Sequence, residues 1–333
     1  MPVVQDFLHT DPFVSTAFDE VRAWADHLAE MGYYGDARID LERPRPGRID
    51  LDNPATREFL RTPGAPDWLS MVPTAAALEP MYNPYQAVMP NGSPIGPRAR
   101  QIFANMLDAQ GLRSRAAALR KIAVADSMQR DRPSQWLSLA CGAAETMLSA
   151  ADQVRTENYL TPTVDLLDYD PRALRLARRH ADQRSLTSAY TRRFNVLNRK
   201  GLSTGGAFGF KPIVEGSYDL VEAVGLLEYL KADDWSYRYS KVISSRRPMA
   251  GARTFLANAW RMVRPGGVLV VANMLPSHPQ IGFTLNVIQW PHIQPRTVEQ
   301  MRVLLDDSGV YGRLTTLLPE DGVYGIYMIR KPD

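Results

Sequence analysis

Short apolar runs alternate with amphipathic helix patterns from residue 136 onward. Four of these runs precede a turn or a helix start: WLSLA, VDLLD, YDLVEAV and VLVVAN. Strands that are apolar on both faces and are separated by helices are typical of a parallel sheet covered on both sides. The runs RLTTLL and VYGIYMI flank the turn Glu320-Asp321-Gly322 and predict an antiparallel hairpin that closes the sheet. The sequence therefore predicts an α/β fold with a doubly wound, mostly parallel sheet.

The first part of the chain has a different pattern. It contains proline-broken stretches such as ERPRPGRIDLDNP and little that alternates like a strand. One helix pattern stops at Gly32, and its apolar residues recur every three or four positions: Phe18, Val21, Ala25, Leu28 and Met31. We therefore expect a mainly helical N-terminal region over residues 1–130, followed by the α/β domain over residues 131–333.

Composition argues against several classes of protein. The net charge is +3, from 39 basic and 36 acidic residues, so the total does not indicate a nucleic-acid partner. No apolar run approaches the roughly 18 residues that a membrane-spanning helix needs. Because the first residues also lack a signal-peptide pattern, we expect a cytoplasmic protein with no membrane partner. Cys141 is the only cysteine, so internal disulfides and a cysteine zinc site are excluded, and we expect no metal.

The first apolar run leads into a turn of small residues, where backbone N–H groups can approach a cofactor closely. This turn consists of Ala140, Cys141, Gly142 and Ala143 and is followed by a helix start. Asp168 ends the second run about 25 residues later, where a carboxylate can accept hydrogen bonds from both hydroxyl groups of a ribose. A turn with one glycine disfavours the close approach of a pyrophosphate. Together these features predict an adenosine-containing cofactor without phosphates.

From about residue 134 to residue 332 the sequence resembles the class I S-adenosylmethionine-dependent methyltransferases. In that family LSLACGAA corresponds to the glycine-rich loop beside the methionine part of the cofactor, and YDLVEAVGLLEYL to the fourth strand and the segment facing the substrate. RMVRPGGVLVVAN is similar to the family's helix, Pro-Gly-Gly turn and fifth strand. The resemblance implies a Rossmann-like sheet of seven strands and S-adenosylmethionine as the cofactor. The chain departs from the family at Ser138, where an acid is usual, and at Ala140 and Ala144, where glycines are usual.

The resemblance and the motifs supply the candidate site residues. Those expected to contact the cofactor are Ala140, Cys141, Gly142, Ala143, Asp168, Tyr169, Asn195, Val196 and Val224. Those expected to take part in the chemistry are Tyr169, Asn195, Glu228, Tyr229 and His278. Those expected in the substrate pocket or a lid over it are Tyr82, Tyr85 and Trp290. Each also has a structural interpretation: the aromatic residues could be ordinary packing, and His278, like His292, could be a hydrogen-bonded or surface histidine.

Three functions stay open on the sequence alone. The first is methyl transfer to a small, partly apolar acceptor, which needs alignment, exclusion of water and removal of a proton but no nucleophilic residue. The second is cyclisation of the cofactor to azetidine-2-carboxylate with release of methylthioadenosine, with Asn195 or Asn198 accepting from the amine and Tyr169 shielding the sulfonium. The third is binding of the cofactor or a partner without catalysis. We expect a small-molecule partner, and the oligomeric state is not predicted.

Overall fold

The computed structural model describes residues 2–8, 10–32, 49–158, 160–204, 212–238, 246–290 and 293–333. Ten strands occur in these residues. They are β1 (Val3–Gln5), β2 (Gln135–Leu139), β3 (Thr163–Asp168), β4 (Ala189–Arg193), β5 (Tyr218–Ala223), β6 (Trp235–Arg238), β7 (Arg246–Met249), β8 (Val263–Met274), β9 (Arg313–Pro319) and β10 (Tyr324–Arg330). Eight of them form one sheet in the order β1-β9-β10-β8-β5-β2-β3-β4, and β6 and β7 form a separate antiparallel pair.

The large sheet is mostly parallel and reverses its strand order beside β2. β3 and β4 extend the sheet from one side of β2, whereas β5 and β8 extend it from the other, all in parallel pairs. β10 runs antiparallel to both β8 and β9. The predicted doubly wound α/β sheet and its C-terminal antiparallel hairpin are therefore confirmed, and the reversal places a crevice at the carboxyl ends of β2 and β5.

The sheet has one strand more than the seven expected. β1 pairs in parallel with β9, with Val3 opposite Leu317, and the backbone N–H of Glu320 donates to the carbonyl of Gln5 at 2.9 Å. A segment of three residues is too short to show a period of two, and both its valines are exposed. The pairing depends on the free edge of β9, which no local pattern near the N-terminus could indicate.

Helices cover both faces of the sheet. They are α1 (Phe18–Met31), α2 (Pro54–Phe59), α3 (Ala65–Leu69), α4 (Ala75–Tyr82), α5 (Pro97–Asn105), α6 (Leu107–Met128), α7 (Glu145–Asn158), α8 (Pro171–Gln183), α9 (Ala252–Met262) and α10 (Val298–Asp307). Apolar side chains of α6, α7 and α8 form one core with alternate residues of the central strands, and those of α9 and α10 form a second core with the other residues. Burial on both faces explains why the strands are continuously apolar.

Local signals account for two of the best-defined helices. α1 ends at Gly32, and its buried residues Val21, Ala25 and Leu28 follow the predicted spacing. α8 begins after Asp170, whose side chain accepts from the N–H of Arg172 at 2.8 Å, and it has Pro171 in its first turn. Capping at Asp170 fixes the direction in which the chain leaves β3, and with it the position of Asp168.

The helices α1 to α5 lie over the carboxyl edge of the sheet. They share a third core with residues that follow β8 and precede β10. Trp68 is at its centre: its ring contacts Phe59, Phe103 and Trp290 at centroid distances of 6.0, 5.5 and 6.3 Å. The indole N–H of Trp68 donates to the carbonyl of Ala77 at 2.7 Å, so this buried polar group is satisfied. The N-terminal helices are therefore held against the edge of the sheet where parallel α/β folds bind ligands.

Within the described part of the chain, no helix combines the length and the apolar character needed to span a membrane.

The contact between α6 and the C-terminal hairpin can be tested at Gly111. A Cβ atom added there would lie 2.5 Å from the Cβ atom of the buried Val323, so one of the two backbones must shift. We expect Gly111→Ala to lower the free energy of unfolding by about 1–3 kcal/mol, because overpacking outweighs the better helix propensity of alanine. Urea unfolding measures the change. Gly96→Ala is the control, since no heavy atom lies within 4 Å of the added Cβ, and equal stability of both variants would contradict this packing.

Candidate functional site

A cavity of about 300 Å³ lies at the carboxyl ends of β2, β3 and β5. The sheet domain contributes the turn after β2, the end of β3 and the segment after β5 to its wall. The N-terminal region contributes residues 73–75, Leu78, Tyr82 and Arg115. The cavity therefore occupies the crevice of the sheet and is bounded on its other side by the N-terminal helices.

The turn after β2 has an unusual backbone for its sequence. Ala140, Gly142 and Ala144 have φ angles of 54°, 56° and 56°, in the left-handed region that favours glycine. The N–H of Cys141 donates to the carbonyl of Leu167 at 3.0 Å, which binds the turn to the end of β3. Two alanines thus adopt the conformation for which glycine is usual, and the structure keeps the turn despite the departures noted in the sequence. Strained backbone of this kind is common where a ligand is held.

Asp168 lies directly beside this turn in the wall of the cavity. Its Oδ2 accepts from the N–H of Gly142 at 2.9 Å, and its Oδ1 accepts from the N–H of Asp170 at 2.8 Å. Burial raises the pKa of the Asp168 carboxyl, and the two backbone N–H groups oppose that shift. Each carboxylate oxygen retains a further lone pair, and the residue lines the cavity, so Asp168 can accept hydrogen bonds from a pair of hydroxyl groups.

Glu222 is a site residue that the sequence analysis missed. It is opposite Ser138 in the β2–β5 register, is buried and lines the cavity. The Ser138 hydroxyl donates to Oε1 of Glu222, and the N–H of Val224 donates to its Oε2 at 3.0 Å. Burial raises the pKa of the Glu222 carboxyl. The acid expected at position 138 is thus present on the neighbouring strand, and a glutamate inside the apolar run YDLVEAV was its signal.

Aromatic side chains form the wall opposite the turn. The indole N–H of Trp290 donates to the hydroxyl of Tyr229 at 2.8 Å, and both residues line the cavity together with Tyr82. Burial raises the pKa of the Tyr229 hydroxyl above its usual range. Tyr229, Tyr82 and Trp290 were all expected near the substrate, and the structure brings them together with the turn and Asp168.

A smaller recess of about 40 Å³ lies behind this aromatic wall. It shares Tyr229, Trp290 and Arg115 with the main cavity and also contains Glu228 and Asp108. Nη1 of Arg115 lies 3.4 Å from Oε1 of Glu228. Burial raises the pKa of the Glu228 carboxyl, and Arg115 opposes that shift. The recess thus places the buried carboxyl group of Glu228 and the buried guanidinium of Arg115 beside the aromatic wall.

Several expected cofactor residues do not line the cavity. Tyr169 is 52% exposed, and its ring lies under the guanidinium of Arg193 at 5.0 Å. Asn195 is exposed, and its Oδ1 accepts from the N–H of Leu197 at 3.1 Å. Val196 is packed in the core on the α9 and α10 side of the sheet. By contrast, the turn from Ala140 to Ala143, together with Asp168 and Val224, lines the cavity as expected.

The remaining candidates lie away from the cavity. Tyr85 is 53% exposed, with its ring 5.8 Å from that of Phe13. The His278 side chain is fully buried, with Nε2 3.4 Å from Oδ1 of Asp108 and Nδ1 accepting from the N–H of Gln280 at 3.1 Å. His292 lies outside the described residues.

His180 connects three elements around the cavity. Its Nε2 lies 3.2 Å from Oε2 of Glu79 on α4, and its Nδ1 lies 3.2 Å from Oε2 of Glu145 and 3.1 Å from the carbonyl of Ala143. Burial lowers the pKa of His180, but Glu79, Glu145 and the Ala143 carbonyl outweigh that effect, so the pKa is raised. When it is protonated, His180 therefore holds α4 of the N-terminal region against the turn after β2 and the start of α7.

The donors and acceptors around the cavity fit a cofactor of the adenosine type. A carboxylate at the end of β3 faces a turn of small residues, and a Cβ added at Gly142 would lie 3.2 Å from that of Ala75, so the turn leaves little room for a larger residue. No group of three or more metal-ligating side chains occurs in the residues that the structure describes. The site is thus built from hydrogen-bonding and apolar groups.

No family model and no curated protein matches the chain. Among solved structures, a possible exported protein from Bordetella parapertussis is 18% identical, with a TM-score of 0.59 over 94% of this chain and 97% of that chain. An O-methyltransferase family protein from Burkholderia thailandensis is 15% identical, with a TM-score of 0.46 over 95% of this chain and 84% of that chain. A 1,6-didemethyltoxoflavin-N1-methyltransferase from the same species is 16% identical, with a TM-score of 0.38 over 68% of this chain and 83% of that chain. The Bordetella protein shares the fold of this chain.

The His180 contacts predict a pH-dependent stability. Because the folded-state pKa lies above that of an unfolded histidine, the contribution is complete below about pH 6.5 and is lost as the pH rises through the folded-state pKa. We expect His180→Gln to lower the free energy of unfolding. The loss relative to the unchanged protein should be larger at pH 6 than at pH 8.5. Chemical unfolding at several pH values measures the difference, with His27→Gln on the exposed side of α1 as the control. A difference that is constant with pH would contradict the proposed contacts.

Proposed function

We propose that the protein is an S-adenosylmethionine-dependent methyltransferase that acts on a small-molecule acceptor. The observation that carries the proposal is the cavity at the reversal of the sheet, with Asp168 and a left-handed turn on one wall and Tyr229 and Trp290 on the other. One wall suits an adenosine-type cofactor, and the other suits a flat or apolar second molecule.

Cofactor binding is assigned to the wall formed by the sheet domain. Asp168 accepts hydrogen bonds from the ribose hydroxyls, and the backbone of Ala140 to Ala143 holds the methionine part. The buried Glu222 accepts from the N–H of Val224 and thereby fixes the segment after β5. When bound, S-adenosylmethionine supplies the activated methyl group.

The acceptor is assigned to the aromatic wall. Tyr82, Tyr229 and Trp290 exclude water from the site and orient the acceptor for in-line attack. Glu228 removes the acceptor's proton where that is needed: it is buried in the recess, its Oε2 has no partner among the described residues, and its raised pKa brings it closer to the working pH of a base. His278 receives no role in proton transfer, because its ring nitrogens face Asp108 and Gln280.

The N-terminal region of residues 1–130 is assigned the choice of acceptor. It contributes Tyr82 and Arg115 to the cavity, and His180 links α4 to the turn after β2. Tyr85 faces Phe13 instead of the cavity and is left out of this assignment. A region that supplies a wall of the site closes it from solvent without requiring a separate lid.

Cyclisation of the cofactor has less support. The residues expected to assist that reaction are Asn195 or Asn198 and Tyr169, and all three side chains are exposed outside the cavity. The products separate the two reactions: methyl transfer leaves S-adenosylhomocysteine and requires an acceptor, whereas cyclisation needs only S-adenosylmethionine and leaves methylthioadenosine.

Incubation of the protein with S-adenosylmethionine alone, followed by mass spectrometry, tests this assignment. We expect no methylthioadenosine above an enzyme-free control, and S-adenosylhomocysteine only when a panel of small acceptors is added. Enzyme-dependent methylthioadenosine together with azetidine-2-carboxylate would overturn methyl transfer. Retention of intact cofactor across the whole panel would favour binding without catalysis.

The ribose assignment is tested at Asp168. We expect Asp168→Ala to bind S-adenosylhomocysteine about 10- to 100-fold more weakly, because hydrogen bonds to a charged group contribute about 1.5–3 kcal/mol. Isothermal titration calorimetry measures the affinity, and circular dichroism checks that the variant is folded. Asp182→Ala, at an exposed position of α8, is the matched control. Unchanged affinity in a folded Asp168→Ala protein would remove Asp168 from the site.

A further inference from the structure

Arg115 is a buried cation whose hydrogen-bonding capacity is largely unused. Its side chain is 3% exposed, and its Nε has no partner among the described residues. Its two contacts with side chains are long: Nη1 lies 3.4 Å from Oε1 of Glu228, and Nη2 lies 3.5 Å from the hydroxyl of Tyr82. A guanidinium has five N–H donors, and leaving them unpaired in a buried site is costly.

Arg113, two residues earlier on α6, shows what a structural arginine looks like in this protein. Its Nε donates to Asp11 at 2.7 Å, its Nη1 donates to the carbonyls of Met81 and Phe103, and its Nη2 donates to that of Ala104. Both arginines are buried on the same helix. Folding satisfies the donors of Arg113, whereas the Nε of Arg115 has no partner among the described residues and its other two contacts are long. The second arginine is therefore available for a ligand.

The surroundings of Arg115 hold its guanidinium in place and leave it accessible from the cavity. The ring of Tyr324 lies 4.5 Å from its central carbon and supports one side. Gly225 lies beside Nη2 of Arg115, and a Cβ added at Gly225 would lie 3.4 Å from that nitrogen. Arg115 lines both the main cavity and the recess. A planar, fixed guanidinium beside open space matches the geometry of a carboxylate, which it can bind through two parallel hydrogen bonds.

We propose that Arg115 binds the carboxylate of the acceptor, so that the substrates are small carboxylic acids with an aromatic or apolar body. This inference rests on the proposed function and narrows its substrate class. The methionine end of the cofactor carries the same chemical group. The acceptor is favoured because the recess that contains Arg115 is lined by Glu228, Tyr229 and Trp290 and by no residue of the turn after β2. In this assignment Arg115 is a specificity residue on the acceptor side of the shared cavity.

The test compares acids with their uncharged amides. The probes are acetate against acetamide and benzoate against benzamide, titrated by calorimetry into the protein with and without saturating S-adenosylhomocysteine. We expect the unchanged protein to bind at least one acid about 10-fold or more tightly than its amide. Arg115→Met should lose this preference, and Arg115→Lys should retain only part of it, because a lysine keeps the charge without the planar fork.

The variants also show whether the carboxylate that Arg115 binds belongs to the acceptor or to the methionine part of the cofactor. We expect Arg115→Met to bind S-adenosylhomocysteine within about twofold of the unchanged protein, and Arg120→Met, at an exposed position of the same helix, to change neither affinity. A large loss of S-adenosylhomocysteine affinity in folded Arg115→Met, with methylthioadenosine binding unchanged, would assign Arg115 to the cofactor instead and overturn the proposal.

The unchanged protein gives a result that does not depend on the folding of any variant. If it binds acids no better than amides, the proposal is wrong. If it fails to bind S-adenosylhomocysteine but still prefers acids, the proposed methyl transfer fails while the carboxylate site stands.

Discussion

The guanidinium of Arg113 holds separate parts of the N-terminal region together. It joins Asp11, the end of α4 and the end of α5 to α6, and all of its contacts are buried. α6 in turn packs Ala118, Leu119 and Ala123 on the sheet. Removing one member of such a group leaves a buried charge uncompensated, which costs about 3–5 kcal/mol. The wall of the cavity formed by the N-terminal helices therefore depends in part on a side chain that itself lies outside the cavity.

The turn after β2 keeps its shape although only one of its residues is a glycine. The polar groups that this part of the cavity presents come from the backbone and from the neighbouring strands. Ala140 and Ala144 keep left-handed φ angles without being glycine, and packing of the loop against Leu167 and Asp168 offsets the strain. The Ser138 hydroxyl donates to the buried Glu222 on the neighbouring strand. A carboxyl group therefore lies beside the turn although position 138 itself is a serine.

The sequence predicted those features of the fold and site that depend on local pattern and on the order of elements along the chain. Continuous apolar runs identified the parallel strands, and the position of Asp168 at the end of one of them placed it at the crevice. Arg115, His180 and Glu222 were missed because their importance comes from contacts between distant segments, such as the ion pair between His180 and Glu79. Asn195 and Tyr169 were expected in the site from the resemblance and from the chemistry of their side chains. Their exposure depends on how the chain after β3 and β4 turns away from the crevice.

The pairing of β1 with β9 also constrains how the chain is made. Val3 lies opposite Leu317, and the core of the N-terminal helices includes Val323 and Tyr324. During synthesis the first residues therefore leave the ribosome long before their partners exist, and the apolar surface of the N-terminal helices stays incompletely covered until the C-terminal hairpin emerges. Contacts so distant in sequence slow folding, and surfaces exposed in the meantime favour aggregation or chaperone binding. In this protein the N-terminal wall of the cavity is translated first, but its core is complete only after the C-terminal hairpin has been made.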